Sequence, residues 1–107
     1  MKHYEKLVRN KIPHRIRRNG DAPQCRQAKP EELLDHLGNK VVEEAKEVRL
    51  SVGQPTAALV DELADVYEVL DEIMRLKRIT RDQVLQEQER KRAELGGFSE
   101  GWILNVL

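Results

Sequence analysis

Lys40-Val41-Val42-Glu43-Glu44-Ala45-Lys46-Glu47 and, fourteen positions on from Glu47, Asp61-Glu62-Leu63-Ala64-Asp65 are the two segments whose reading decides the fold. Each carries carboxylates three residues apart, Glu44 with Glu47 and Glu62 with Asp65, within a pattern of apolar residues at helical spacing. Between them Ser51-Val52-Gly53-Gln54-Pro55-Thr56 reads as a break, because Gly and Pro both punctuate helices. The segment Lys40 to Ile73 therefore reads as a helical hairpin with a pair of acids on each arm.

The position of the acids on the helical wheel gives them chemical weight. At about 100° per residue, Leu33, Leu37, Val41, Ala45 and Val48 gather into one apolar stripe. Glu44 falls inside that stripe and Glu47 at its edge. On the second arm the stripe is Leu59, Val66, Val69, Leu70 and Ile73, with Glu62 inside it and Asp65 at the edge. A carboxylate on a core-facing stripe is unfavourable unless it is paired, protonated or bound to metal. Either pair alone arises by chance in Glu-rich helices. Matching pairs on consecutive helices, with no basic residue between Asp61 and Glu72 and only Lys40 placed one turn before Glu44, suit a hard cation such as Mg²⁺ or Mn²⁺.

Working outward, Pro30 fits the first turn of a helix and Glu31 and Glu32 suit the positive end of its dipole. The first long helix is expected over about Pro30 to Ser51 and the second over about Thr56 to Leu76, with Thr56 as its N-cap. Thr80-Arg81-Asp82-Gln83 has the form of a capping box, so a third helix is expected over about Arg81 to Leu95, with Val84, Leu85 and Gln88 facing inward more weakly than the stripes of the hairpin. Gly96-Gly97 should end it. Towards the N-terminus, Tyr4 to Pro13 reads as extended or irregular and interrupted by Pro13, His14 to Arg18 as a helical turn, Asn19 to Pro23 as a loop, and Gln24 to Lys29 as extended. Phe98 to Leu107 is an apolar tail expected to dock on the bundle or on a neighbouring subunit, with Phe98 and Trp102 packing there rather than stacking on a base.

The chain of 107 residues makes one domain, with 36% charged and 4% aromatic residues, a balance that suits helices. Two or three helices of this size bury little core alone, so the bundle is expected to be completed by a homodimer or homotetramer. Nineteen basic and nineteen acidic residues cancel, yet they are segregated: Lys2, Lys6, Arg9, Lys11, Arg15, Arg17 and Arg18 face only Glu5 in the opening stretch. No aromatic residues interleave with the basic runs, so nucleic acid is not an expected partner. Cys25 is the one cysteine, which excludes an internal disulfide, and the three histidines show no zinc spacing. No apolar run approaches membrane-span length and the basic N-terminus lacks the apolar core of a signal peptide, so a soluble, cytoplasmic protein is expected.

Glu43-Glu44-x-x-Glu47 followed by Glu62-x-x-Asp65 resembles the signature of the MazG-like superfamily of all-α nucleoside triphosphate pyrophosphohydrolases. Tyr4-x-Lys6-Leu7-Val8-Arg9-Asn10-Lys11-Ile12-Pro13 and Lys91-x-x-x-x-Gly96-Gly97-Phe98 are similar to the ends of a small single-domain branch of that group. The branch usually has Asp where Asn10 stands, and often a basic residue where Leu95 stands.

The resemblance implies an all-α MazG-like bundle with extended terminal segments. It implies Mg²⁺-dependent hydrolysis of nucleoside triphosphates, non-standard or surplus ones, to a monophosphate and pyrophosphate. Glu44, Glu47, Glu62 and Asp65 would hold the metal, Glu43 would orient or deprotonate the attacking water, and Arg9, Lys11 and Lys91 would contact phosphates. Two alternatives stay open: a phosphoribosyl-ATP pyrophosphohydrolase using the same acids, and a non-enzymatic helical interaction module.

Overall fold

In the computed structural model, residues 5–105 are described; Lys2, His3 and Tyr4 of the basic arm and Val106 and Leu107 of the tail lie outside them. Four helices follow in order, α1 (Ile12–Arg18), α2 (Pro30–Ser51), α3 (Thr56–Lys77) and α4 (Arg81–Leu95), and no strand occurs among the described residues. The protein is all-α, as its sequence leads one to expect. By backbone proximity it divides into two units, Met1–Ile73 and Met74–Leu107.

The first unit holds the hairpin of α2 and α3. Pro30 opens α2, and the Glu32 carboxylate turns back to accept the Lys29 N–H at 3.4 Å. The expected stripe on α2 faces inward at Leu33, Val41 and Val48, which are half-buried, and at Leu37, which is only 3% exposed. Ala45 departs from it and is exposed. On α3, Leu59, Val66, Val69 and Ile73 are half-buried while Leu70 remains exposed.

Two local expectations are corrected. Pro13 does not interrupt an extended segment but lies in the first turn of α1, where its missing N–H is no loss and its fixed φ suits the helix. Thr56 is the first residue of α3 rather than its cap: the Pro55 carbonyl already accepts from the Ala58 N–H at 2.9 Å, so the first turn begins one residue earlier.

The second unit is built on α4. The Thr80 hydroxyl accepts from the Gln83 N–H at 3.2 Å, and the Gln83 side-chain oxygen accepts from the Thr80 N–H at 2.7 Å, so both halves of the capping box form. Gly96 ends the helix at φ 84°, its N–H donating to the Arg92 carbonyl. Just before α4, Arg78 takes a left-handed conformation at φ 57° while the Ile79 N–H donates back to the Met74 carbonyl at 2.9 Å. This is the usual helix-ending turn, here made without a glycine.

Val84, Leu85 and Gln88 do not face inward; all three are exposed. Charges surround α4 on every side, so two apolar residues make no stripe, and Arg90 pairs instead with Glu87 and Glu94 one turn away on either side. The tail is likewise uncovered, with Phe98 98% and Trp102 86% exposed and the indole N–H donating to Glu100.

Thr80→Ala removes one half of the capping box and should lower stability by about 1 kcal/mol. Loss of helical signal at a lower temperature, with the folded-state spectrum unchanged, would register it.

Candidate metal centre

Glu44 projects from α2 towards α3, and its side chain is 12% exposed. Glu62 and Asp65, one turn apart on α3, are half-buried opposite it. One carboxylate oxygen from each of Glu44, Glu62 and Asp65 lies within 4.8 Å of the others. The short connection at residues 52–55 produces this convergence, because it returns the chain so that the stripe of one helix faces the stripe of the next. Three acids chosen for their positions on two separate wheels thus meet at one place.

Glu47 is exposed and stands outside that trio, but its charge reaches Glu62. Glu62 holds its proton more tightly than an ordinary glutamate, first because its surroundings are poorly solvated and then because Asp65, Glu47, Asp61 and Glu44 all repel its charged form. Glu43 is 46% exposed and is engaged by two lysines, Lys40 at 3.5 Å and Lys6 at 3.8 Å. Lys40 also stands 3.9 Å from Glu44, the one-turn pairing expected from their spacing.

The contact that sequence spacing did not show is Arg9 with Asp65, 56 positions apart, where the guanidinium donates to Asp65 Oδ1 at 2.6 Å. It carries one residue of the basic arm onto the acidic face. Lys11 lies two residues further on, exposed at the N-cap of α1. Lys91 belongs to the second unit, where it lines a shallow groove of about 490 Å³ on α4 with Ile79, Gln83 and Glu87.

A second group also went unread. Glu5, Glu32 and His36 bring ligand atoms within 4.8 Å of one another. Arg26 occupies this group, donating to Glu32 at 2.6 and 2.8 Å and to Glu5 at 3.2 Å. These bonds hold the Glu32 carboxyl down to about 2 and raise the Arg26 guanidinium further above its usual range. The group is an ion-pair network in which one guanidinium already engages both carboxylates, and only the proximity of Arg26 and Glu32 in sequence hints at it.

The donor set at Glu44, Glu62 and Asp65 fits a hard divalent cation, since it is all oxygen and collectively anionic.

Comparison of the chain with protein-family models, with curated proteins and with solved structures finds no match.

Because Glu62 binds its proton more tightly in the folded chain than in the unfolded one, metal-free stability falls as pH rises from the ordinary glutamate value of 4.5 through the raised one. Glu62→Gln, which mimics the neutral acid, should therefore melt higher than the wild type at pH 7 without metal. The difference should close as pH falls below 4.5. Melting curves in chelator across that range give the comparison.

Proposed function

We propose that this protein hydrolyses nucleoside triphosphates to a nucleoside monophosphate and pyrophosphate, with Mg²⁺ as its cofactor and Mn²⁺ as a substitute. The observation that carries the reading is the meeting of Glu44, Glu62 and Asp65 from two helices, with an arginine of the basic arm beside them. The family resemblance suggests the reaction, and the nearness of three carboxylates to Arg9 supports it. Non-standard or surplus nucleotides remain the proposed substrates.

Glu44, Glu62 and Asp65 would hold the ion, with the charge of Glu47 also felt at Glu62. Bound there, the cation would offset polyphosphate charge and make water a better nucleophile at neutral pH. In the reaction water adds to the α-phosphorus, the bond to the bridging oxygen breaks, pyrophosphate leaves and a proton passes to solvent. Glu47 is exposed and adjacent, so it can take that proton as readily as Glu43, whose carboxylate is shared by two lysines. Arg9 and Lys11 sit on the arm that would meet the phosphates.

Pyrophosphate release from a panel of standard and modified triphosphates and phosphoribosyl-ATP, with and without Mg²⁺, tests the reading. Removing a residue that supports a metal ligand lowers activity about 10- to 100-fold, so Glu62→Gln, which alters a ligand itself, should lose more than about 100-fold. Glu68→Gln, on an exposed position of α3, should be nearly silent. Wild-type turnover in Glu62→Gln, with the same Mg²⁺ dependence, would remove the metal assignment.

Assembly into a homodimer or homotetramer belongs to the same proposal. Leu37 is the one buried hydrophobic residue among those described, whereas Leu50, Val52 and Tyr67 are each more than 60% exposed. A helical protein with so little internal core gains most by burying these residues against a second copy. Sedimentation at micromolar concentration should show two or four chains, and a stable monomer would count against this part.

A further inference from the structure

We infer that Arg9 is the resident counter-ion of the acidic site, and that it exchanges Asp65 for a substrate phosphate when a divalent cation binds. The inference rests on the metal reading above and adds a role for the basic arm. Among the described residues, Lys40, Lys6 and Arg9 stand beside the acids in and around the trio, but they do so differently. Lys40 is i−4 to Glu44 on the same helix, and Lys6 meets Glu43, which lies outside the trio. Arg9 arrives from a distant part of the sequence and makes a 2.6 Å contact with a member of the trio itself.

The two ends of that pair decide what it can do. The Arg9 side chain is 59% exposed and that of Asp65 32%, so the pair is partly hydrated and weak. A weak pair holds the carboxylates together without a metal and yields to a doubly charged ion competing for the same oxygens. A divalent cation among Glu44, Glu62 and Asp65 would also repel the guanidinium beside it. Arg9 has somewhere to go. It lines a cleft of about 1110 Å³ in the first unit that also carries Lys6, His14 and Arg17, while Glu5 on the same cleft is held by Arg26. A guanidinium freed from a carboxylate keeps its paired N–H donors, which match a phosphate equally well. Loss of one anion by Arg9 would thus be coupled to gain of another in the cleft that it lines.

The exchange has a signature of opposite signs. Arg9→Ala should bind Mn²⁺ alone more tightly than the wild type, by roughly two- to fivefold, the range expected for removal of an exposed competing ion pair. With Mg²⁺ saturating, the same variant should bind inorganic pyrophosphate more weakly. Arg9→Lys retains the charge and should bind Mn²⁺ within about twofold of wild type, because it still competes for Asp65. Arg17→Ala, at a residue that lines the cleft without an ion pair to Glu44, Glu62 or Asp65, should leave Mn²⁺ affinity unchanged. Free Mn²⁺ can be followed by its paramagnetic resonance signal and pyrophosphate by calorimetry, with circular dichroism confirming that each variant is folded. Tighter Mn²⁺ and weaker pyrophosphate in Arg9→Ala support the exchange. Equal or weaker Mn²⁺ binding in a folded Arg9→Ala overturns it while leaving the metal centre standing, and unchanged pyrophosphate binding overturns its phosphate half. Absence of Mn²⁺ binding in the wild type overturns the exchange and the metal reading together.

Discussion

Like charge held at short range is the constraint on which the first half of this protein depends. Glu44, Glu62 and Asp65 approach within 4.8 Å on faces that also carry Leu37, Val66 and Val69. The apolar neighbours draw the two helices together and the carboxylates push them apart. Proximity of that kind survives in a folded protein when the charge is offset, and two cations do so here: Lys40 stands beside Glu44 and Arg9 reaches over to Asp65.

The same logic accounts for the segregation of basic residues along the chain. Those that look in sequence like a solvated positive surface are in several cases engaged with acids. Arg26 bridges Glu5 and Glu32, Arg90 bridges Glu87 and Glu94, and Lys6 reaches Glu43. Opposite charges are therefore partly offset locally as well as cancelling in total. No helix among the described residues is long and apolar enough to cross a membrane.

What could be read from the sequence was what depends on short spacing. The two long helices follow from apolar periodicity, the start of α4 from Thr80 and Gln83 three residues apart, and its end from Gly96. The juxtaposition of Glu44 with Glu62 and Asp65 could also be read, since a hairpin with a short turn must face one stripe with the other. Contacts that depend on where a loop travels could not. Arg9 meets Asp65 because the segment before α1 folds back over the hairpin, and no periodicity encodes that path. Arg78 hides its turn for a different reason: an arginine stands in the left-handed position where glycine would have marked it. The inward face expected for α4 failed because Val84 and Leu85 had no apolar neighbours at helical spacing strong enough to outweigh the surrounding charge.

The thinness of the core has a thermal consequence. Unfolding usually raises heat capacity by about 12–15 cal/mol/K per residue, because buried apolar surface becomes hydrated. With Leu37 the single buried hydrophobic residue among those described, and Phe98, Trp102, Ile103 and Leu104 already in water, an isolated chain has little such surface left to expose. Its heat-capacity increment should be small, its stability curve shallow, and cold should affect it little. The curvature typical of globular proteins would then be largely missing from the thermogram of an isolated chain.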